Sequence, residues 1–282
     1  MRGILIQCGA AAYFLYASCI RGKIPALFAP NMEALTPPSP DAVPAIRFRN
    51  TGRRYGVQRA VEDVTFDVLP GECFGLVGGN GAGKTTLLKC MLDFIPAHAG
   101  SIEIFGVPYG ETRARAKIAF LPERFVPPYY LTGEDFLRYM LKLHERPYDA
   151  NATAAILEGL DLDKSALRKP VRAYSKGMNQ KLGLAMCFLS EKELLILDEP
   201  TTGLDPKARA LFKTQLRSAV ALGRSVLLTS HSLADVEETC QRMALLHQGR
   251  LLFLGSPRAL REQFGAPTLE SAYLACIGER RN

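Results

Sequence analysis

An α/β fold is predicted: a parallel sheet covered on both faces, with a helical insertion between two strand-rich parts. Three observations carry the prediction. The apolar run Cys73-Phe74-Gly75-Leu76-Val77 leads through Gly78-Gly79-Asn80-Gly81-Ala82-Gly83-Lys84-Thr85-Thr86 into Leu87-Leu88-Lys89-Cys90-Met91-Leu92, a strand, a glycine loop and a helix in succession. Leu194-Leu195-Ile196-Leu197-Asp198 and Ser225-Val226-Leu227-Leu228-Thr229-Ser230 are short apolar runs without a polar alternate face, as strands of a parallel sheet covered on both sides require. Between roughly residues 124 and 190 the pattern turns helical, so an insertion parts two strand-rich segments.

The loop from Gly78 to Thr85 fits G-x-x-x-x-G-K-[ST] in the context of a preceding strand and a following helix. Its glycines let successive backbone N–H groups turn inward around phosphate oxygens, where a side chain would clash or φ would be forbidden. A helix starting near Lys84 points its positive end at the same anion. Lys84 can reach the β- and γ-phosphates, and the Thr85 hydroxyl can ligate Mg²⁺. Residues 78–86, including Asn80, Gly81, Ala82 and Thr86, therefore read as a nucleotide cradle; the plain alternative is a glycine-rich turn.

Composition narrows the function. The net charge of +7 over 282 residues is mild and dispersed, with no dense Lys/Arg run interleaved with aromatics, so nucleic acid is not an expected partner. Seven cysteines, at 8, 19, 73, 90, 187, 240 and 276, form no C-x-x-C pair. That argues against a disulfide framework and a zinc site, and fits a reducing cytosol. Cys73, Cys90 and Cys187 lie in apolar surroundings and read as small buried hydrophobes.

Taken in order, residues 1–45 form an extension unlike the rest. Residues 3–20 are mostly apolar, flanked by Arg2, Arg21 and Lys23. Three readings fit: a true start at Met32, a membrane anchor, or an export signal. The first is preferred, because Met32 opens a short Pro-rich leader into the domain, and a nucleotide-hydrolysing domain outside the cytosol would lack ATP. From residue 46 the pattern alternates as strands, at 46–49 and again at 61–68, ending at the turn Pro70-Gly71. Tyr55, in the loop between them, precedes the phosphate loop by the interval expected of a ring that stacks on adenine.

Further strands are expected at 100–106 and 117–121, the second stopped by Pro122. Thr132 caps a helix with Glu134 and Asp135 in its first turn, and helical patterns cover 136–143, 152–159, 164–167 and 180–189. At the end of its apolar strand, Asp198 falls on the edge where α/β ligands bind and can hold Mg²⁺; Glu199 beside it is placed to polarise an attacking water. The plain alternative is two solvated acids. His231 closes the strand 225–230 on the same edge as Lys84 and Asp198, where a ring nitrogen can touch a γ-phosphate. Ser232 caps the next helix, 243–247 and 251–254 form a hairpin around Gln248-Gly249, and helical pieces follow to Cys276 before a polar end.

Over roughly residues 46–264 the order of these motifs resembles the ATP-binding cassette (ABC) ATPases, the motor subunits of ABC transporters. Tyr174-Ser175-Lys176-Gly177-Met178-Asn179-Gln180 is similar to the family signature L-S-G-G-Q: Ser175 and Gly177 match, while Tyr174, Lys176 and Met178 depart. Glu123 in Leu121-Pro122-Glu123 stands where the family's Q-loop usually has glutamine. Residues 201–206, with Asp205, resemble the D-loop, His231 the switch histidine, and Tyr55 the adenine-stacking residue.

The resemblance implies a P-loop NTPase (RecA-like) core with an antiparallel β subdomain and an inserted α-helical subdomain. It implies domains at 46–264, with the helical subdomain about 124–190, and a C-terminal tail at 265–282. ATP and Mg²⁺ are the implied cofactors. The phosphate loop, Tyr55, Ser175, Gly177 and Asp205 would bind nucleotide; Thr85, Asp198 and Glu123 the metal; Lys84, Glu199 and His231 would be catalytic. The implied partners are a second ATPase subunit, in a head-to-tail homodimer, and a separate multi-span permease. The chain would then lie peripherally on the cytoplasmic face of the inner membrane. The signature variant and the short C-terminal stretch look more like exporter than importer subunits. A GTPase is disfavoured by the lack of N-K-x-D, and DNA- or ribosome-directed ABC proteins by a single cassette without long heptads.

Overall fold

The structure, a computed structural model, describes residues 42–278; the readings of residues 1–41, with Met32, Cys8 and Cys19, lie outside the described residues. The chain begins with β1 (Ile46–Tyr55) and β2 (Gln58–Val68), an antiparallel hairpin that pairs Ile46 with Val68 at one end and Tyr55 with Gln58 at the other, its register shifting between Phe48 and Arg54. Alternation sorts the faces: Ile46, Phe48, Val64, Phe66 and Val68 are buried, whereas Arg49 forks both nitrogens onto Asp67 at 2.7 Å on the outer face. After the turn at Gly71 come β3 (Cys73–Val77) and α1 (Lys84–Met91). The chain then returns through β4 (Ala99–Ile104) and β5 (Val107–Pro108), which complete a four-stranded antiparallel sheet in the order β2-β1-β4-β5.

A short helix, α2 (Thr112–Arg115), leads to β6 (Ile118–Leu121). The helical insertion follows. It holds α3 (Gly133–Leu143), α4 (Ala150–Glu158), two 3₁₀ turns at Lys164–Arg168 and Val171–Ala173, and α5 (Lys176–Leu189). Each α-helix starts on a side chain that accepts an otherwise unpaired N–H: Thr132 from Asp135, Asp149 from Asn151 and Ala152, Ser175 from Met178. Helix α3 buries Phe136, Leu137 and Leu141, and leaves Arg138, Tyr139 and Lys142 outside, one apolar stripe per turn.

The chain re-enters the main sheet with β7 (Leu194–Asp198), α6 (Pro206–Ala221), β8 (Ser225–Ser230), α7 (Leu233–Thr239), β9 (Arg242–His247) and β10 (Arg250–Gly255). The order is β10-β9-β3-β8-β7-β6, parallel except for the β9–β10 hairpin. Gln248 and Gly249 both take positive φ there, the geometry of a two-residue hairpin turn. Period two explains the apolar strands: Cys73, Val77, Leu195, Leu197, Val226 and Leu228 enter one core, Phe74, Leu76, Leu194, Ile196 and Leu227 the other. The first core is shared with the helical insertion, the second with α1 and the antiparallel sheet.

Beyond β10, α8 (Pro257–Gln263) and α9 (Leu269–Gly278) pack together, and Leu269, Ala272 and Cys276 of α9 sink into the first core. The segment set aside from the sequence as a tail thus carries a core helix; its last four residues lie outside the described ones. Cys73, Cys90 and Cys187 are buried free thiols, as are Cys240 and Cys276. Among the described residues no helix is long and apolar enough to cross a membrane.

Candidate nucleotide site

The site grows from the carboxyl ends of three adjacent parallel strands, β3, β8 and β7. Past Val77 the backbone turns through Gly78–Gly83 and enters α1 at Lys84. Gly83 holds φ 106°, and a Cβ there would lie 2.5 Å from the Ala60 carbonyl oxygen. No side chain fits that combination of conformation and close approach, so this position of the motif belongs to glycine. Lys84 is nearly buried, and its ammonium donates to the Gly78 carbonyl at 2.6 Å and more weakly to Gly79 at 3.4 Å. It thereby sits across the mouth of its own loop. Gly79, Asn80, Gly81 and Thr85 are exposed around it, Thr86 half-buried, Gly78 and Ala82 buried.

In the β7–β8 ladder Asp198 stands opposite Thr229. The Thr229 hydroxyl donates to Asp198 Oδ1 at 2.6 Å and accepts the Glu199 backbone N–H at 2.9 Å. Burial raises the Asp198 pKa above the usual carboxylate range; the Thr229 hydrogen bond opposes that, the charges of Glu123 and Glu199 add to it, and Lys84 draws it down. Thus Lys84, Glu123, Asp198 and Glu199, spread over 116 positions of sequence from 84 to 199, share one electrostatic neighbourhood. Glu199 leaves the ladder at φ 50°, a left-handed conformation uncommon for a residue with a Cβ. Its Oε2 lies 2.7 Å from His231 Nδ1 and accepts the His231 backbone N–H at 3.3 Å. A carboxylate only accepts, so this geometry assigns the ring proton to Nδ1 and turns Nε2 outward.

A second network lies behind His231. Asp235 on α7 pairs with Lys213 on α6 at 2.7 Å and accepts the Thr201 hydroxyl at 3.1 Å. Burial alone would raise the Asp235 pKa, but Lys213, Thr201 and Ser232 together pull it below the usual value. This ties the loop after Glu199 to the helix after His231.

Ser175 caps α5, its oxygen accepting the Met178 N–H at 3.1 Å. Capping uses a lone pair, so the hydroxyl proton remains for another acceptor. Gly177 sits against the loop that follows β7: a Cβ there would meet the Gly203 carbonyl oxygen at 2.8 Å. The three departures from the signature pattern have local reasons. Tyr174 is buried, donates to the Ala166 carbonyl at 2.7 Å, and is accommodated because Gly133 leaves room for its hydroxyl. The Lys176 stem lies along Gly203, and Met178 packs on the first core.

Asp205 caps α6 through the Ala208 N–H at 2.9 Å and lies 3.7 Å from Lys181, while Tyr55 is exposed at the hairpin tip with the Arg53 guanidinium 5.1 Å from its ring. The fold therefore gathers Lys84, Glu123, Asp198, Glu199 and His231; Ser175 and Gly177 group instead with Gly203. Sequence reasoning missed Thr229, Asp235 and Lys213. A polar residue inside an apolar strand was the available signal for Thr229; for the other two there was none.

Among the described residues no cluster of three or more His, Cys, Asp or Glu forms a self-contained metal cage. The buried Asp198, with the charges of Glu123 and Glu199 beside it, would suit a hard cation that takes its remaining ligands from phosphate and water.

A family model described as ABC transporter matches residues 61–202. The chain is 38% identical over 234 residues to the Nod factor export ATP-binding protein I of Burkholderia orbicola (strain AU 1054), covering 81% of this chain and 77% of that one. It is likewise 38% identical over 233 residues to the protein of the same name from Sinorhizobium fredii (strain NBRC 101917 / NGR234), covering 80% and 67%. A solved structure described as the ATP-binding subunit of an ABC transporter superposes with a TM-score of 0.76 at 32% identity, covering 83% of this chain and 99% of that one. With a nucleotide-phosphate loop, paired acids and a histidine on one sheet edge, and with these relatives, the chain belongs to the ABC transporter family and is an ATP-binding, ATP-hydrolysing subunit of such a transporter.

Proposed function

We propose that this subunit drives export, and that ATP is hydrolysed between two copies arranged head to tail. The observation that carries the reading is the convergence of Lys84, Asp198, Glu199 and His231 at the carboxyl edge of one sheet. In it, residues 78–86 cradle the phosphates, Lys84 balances charge on the γ-phosphate, and Tyr55 stacks on adenine. Glu199 takes the proton of the attacking water, and His231, oriented by Glu199, presents Nε2 to the γ-phosphate. Thr85, Asp198 and Glu123 supply the oxygens that would hold Mg²⁺, whose chemistry when bound is to neutralise charge on the β- and γ-phosphates.

Ser175 and Gly177 would close over the nucleotide of the opposite subunit, and Asp205 would line the same seam. Closure on ATP and reopening after hydrolysis would move the membrane partner, a separate multi-span chain at the cytoplasmic face of the inner membrane. Exposed Val126, Tyr129 and Tyr130, just past Glu123, offer an apolar face for that partner. Export as the direction rests on the relatives, which are named as export ATP-binding proteins.

Sedimentation of the Glu199→Gln protein tests the dimer: ATP with Mg²⁺ should convert monomer to dimer, and a chain that stays monomeric with nucleotide bound overturns the arrangement. Purification from native membranes should recover a multi-span subunit with the wild-type chain.

A further inference from the structure

Thr229 lies outside the ABC motifs above, yet it is fully buried and touches both acids of the site. It lies on β8, flanked in register by Leu76 of β3 and Asp198 of β7, and so occupies the strand between the phosphate loop's strand and the acidic strand. Period two places its side chain on the sheet face that bears Leu227, Ile196 and α1, the same face as Asp198.

A hydroxyl has one proton and two lone pairs. The Glu199 N–H can only donate, so Thr229 accepts there at 2.9 Å; its single proton then goes to Asp198 Oδ1 at 2.6 Å. Both directions are thereby fixed. One carboxylate oxygen of Asp198 is occupied, leaving the other for a cation. At the same time the Glu199 amide, which has turned out of the ladder at φ 50°, gains a side-chain acceptor in place of a backbone one. The branched Cβ of threonine restricts χ1, so the hydroxyl is held between the two groups.

We propose that Thr229 is a positioning residue for ATP hydrolysis: through one hydroxyl it orients Asp198 toward the metal and holds the backbone from which Glu199 reaches water. This rests on the roles given above to Asp198 and Glu199. Outer hydrogen bonds of this kind are worth about 10- to 100-fold in metal affinity or activity.

The test uses the full chain with Thr229 replaced by Val, Cys and Ser. Three quantities are read: affinity for a fluorescent ATP analogue in EDTA, affinity for Mn²⁺ by electron paramagnetic resonance with the nucleotide bound, and kcat. Nucleotide affinity in EDTA should stay within about threefold of wild type in every variant. Thr229→Val should lose about 10- to 100-fold in Mn²⁺ affinity and kcat. Thr229→Ser should retain both, and Thr229→Cys should fall between. If the valine protein does not fold, the Cys and Ser proteins decide.

Wild-type Mn²⁺ affinity and kcat in a folded variant without the hydroxyl would overturn the proposal. Equal loss in Ser and Val would do the same, since it would assign the effect to the methyl group. Asp198→Asn separates the two failures. If that variant keeps wild-type Mn²⁺ affinity, the metal-site reading itself is wrong; if it loses Mn²⁺ while Thr229→Val does not, only the role of Thr229 falls.

Discussion

The imidazole Nδ1 of His231 lies 2.7 Å from Glu199 Oε2, joining the ends of β8 and β7, two neighbouring strands of the parallel sheet. The contact orients the ring and places a buried acid and an exposed base side by side at the sheet edge. Glu199→Gln keeps the shape and an acceptor oxygen but not the basicity. Turnover should fall by about 10²- to 10⁴-fold, the range of a general base, while ATP affinity changes less than about threefold. Steady-state ATPase rates beside equilibrium nucleotide binding check this; near-wild-type turnover removes Glu199 as the base.

Lys84 makes its present hydrogen bonds to carbonyls of its own loop, which a γ-phosphate would outcompete as a charged acceptor. Lys84→Ala should weaken ATP binding by about 10- to 100-fold, corresponding to one charge-assisted hydrogen bond. Isothermal titration at constant ionic strength measures it. Unchanged affinity would count against the phosphate loop.

Replacing Gly177 tests whether binding and hydrolysis can be separated. Its replacement by alanine drives a Cβ to 2.8 Å from a backbone oxygen, that of Gly203, which no rotamer change relieves. The two loops must part, at a cost of about 1–3 kcal/mol. ATP affinity of the isolated chain should be kept and ATPase activity should drop at least about tenfold, because the displaced surface is the one proposed to meet the other subunit. Loss of nucleotide binding in the monomer would contradict that division.

The Lys213–Asp235 pair predicts a pH-dependent stability. The Lys213 and Asp235 side chains are 13% and 11% exposed, so Lys213→Met leaves a nearly buried carboxylate without its cation. Unfolding free energy at pH 7 should drop by about 2–4 kcal/mol. Asp235 binds its proton less tightly folded than unfolded. Its contribution is therefore complete above the unfolded value, about 3.9, and is lost as pH falls through the folded one. The difference between wild type and variant, measured by urea unfolding, should be largest near pH 8. It should begin to shrink above the ordinary carboxylate value, because burial without Lys213 raises Asp235 in the variant, and should go on shrinking below about pH 4. A deficit that persists unchanged at pH 3 would assign the loss to packing of the lysine stem.

Much of this fold is legible residue by residue. The glycine loop between strand and helix, the caps at Thr132 and Ser232, the hairpin at Gln248-Gly249 and the apolar runs at β7 and β8 are all expected from sequence and all form. The C-terminal stretch is the weaker reading. Leu269, Ala272 and Cys276 recur at three- and four-residue spacing, but only α7 and α8 give that stripe a core to enter. Tyr174 looks like a departure from a motif until Gly133, 41 positions earlier, leaves space for its hydroxyl.

The sequence by itself determined the chemistry on offer: a phosphate cradle, a carboxylate ending an apolar strand, a second acid beside it and a histidine closing another strand. These follow from backbone conformational limits and from period-two burial, which act within a few residues. The tertiary structure alone decided which groups meet. Placing β8 between β3 and β7 brings Thr229 beside Asp198 and His231 beside Glu199, across 31 and 32 positions of chain. Strand order is set by the packing of whole elements on both sheet faces, and no local pattern encodes it.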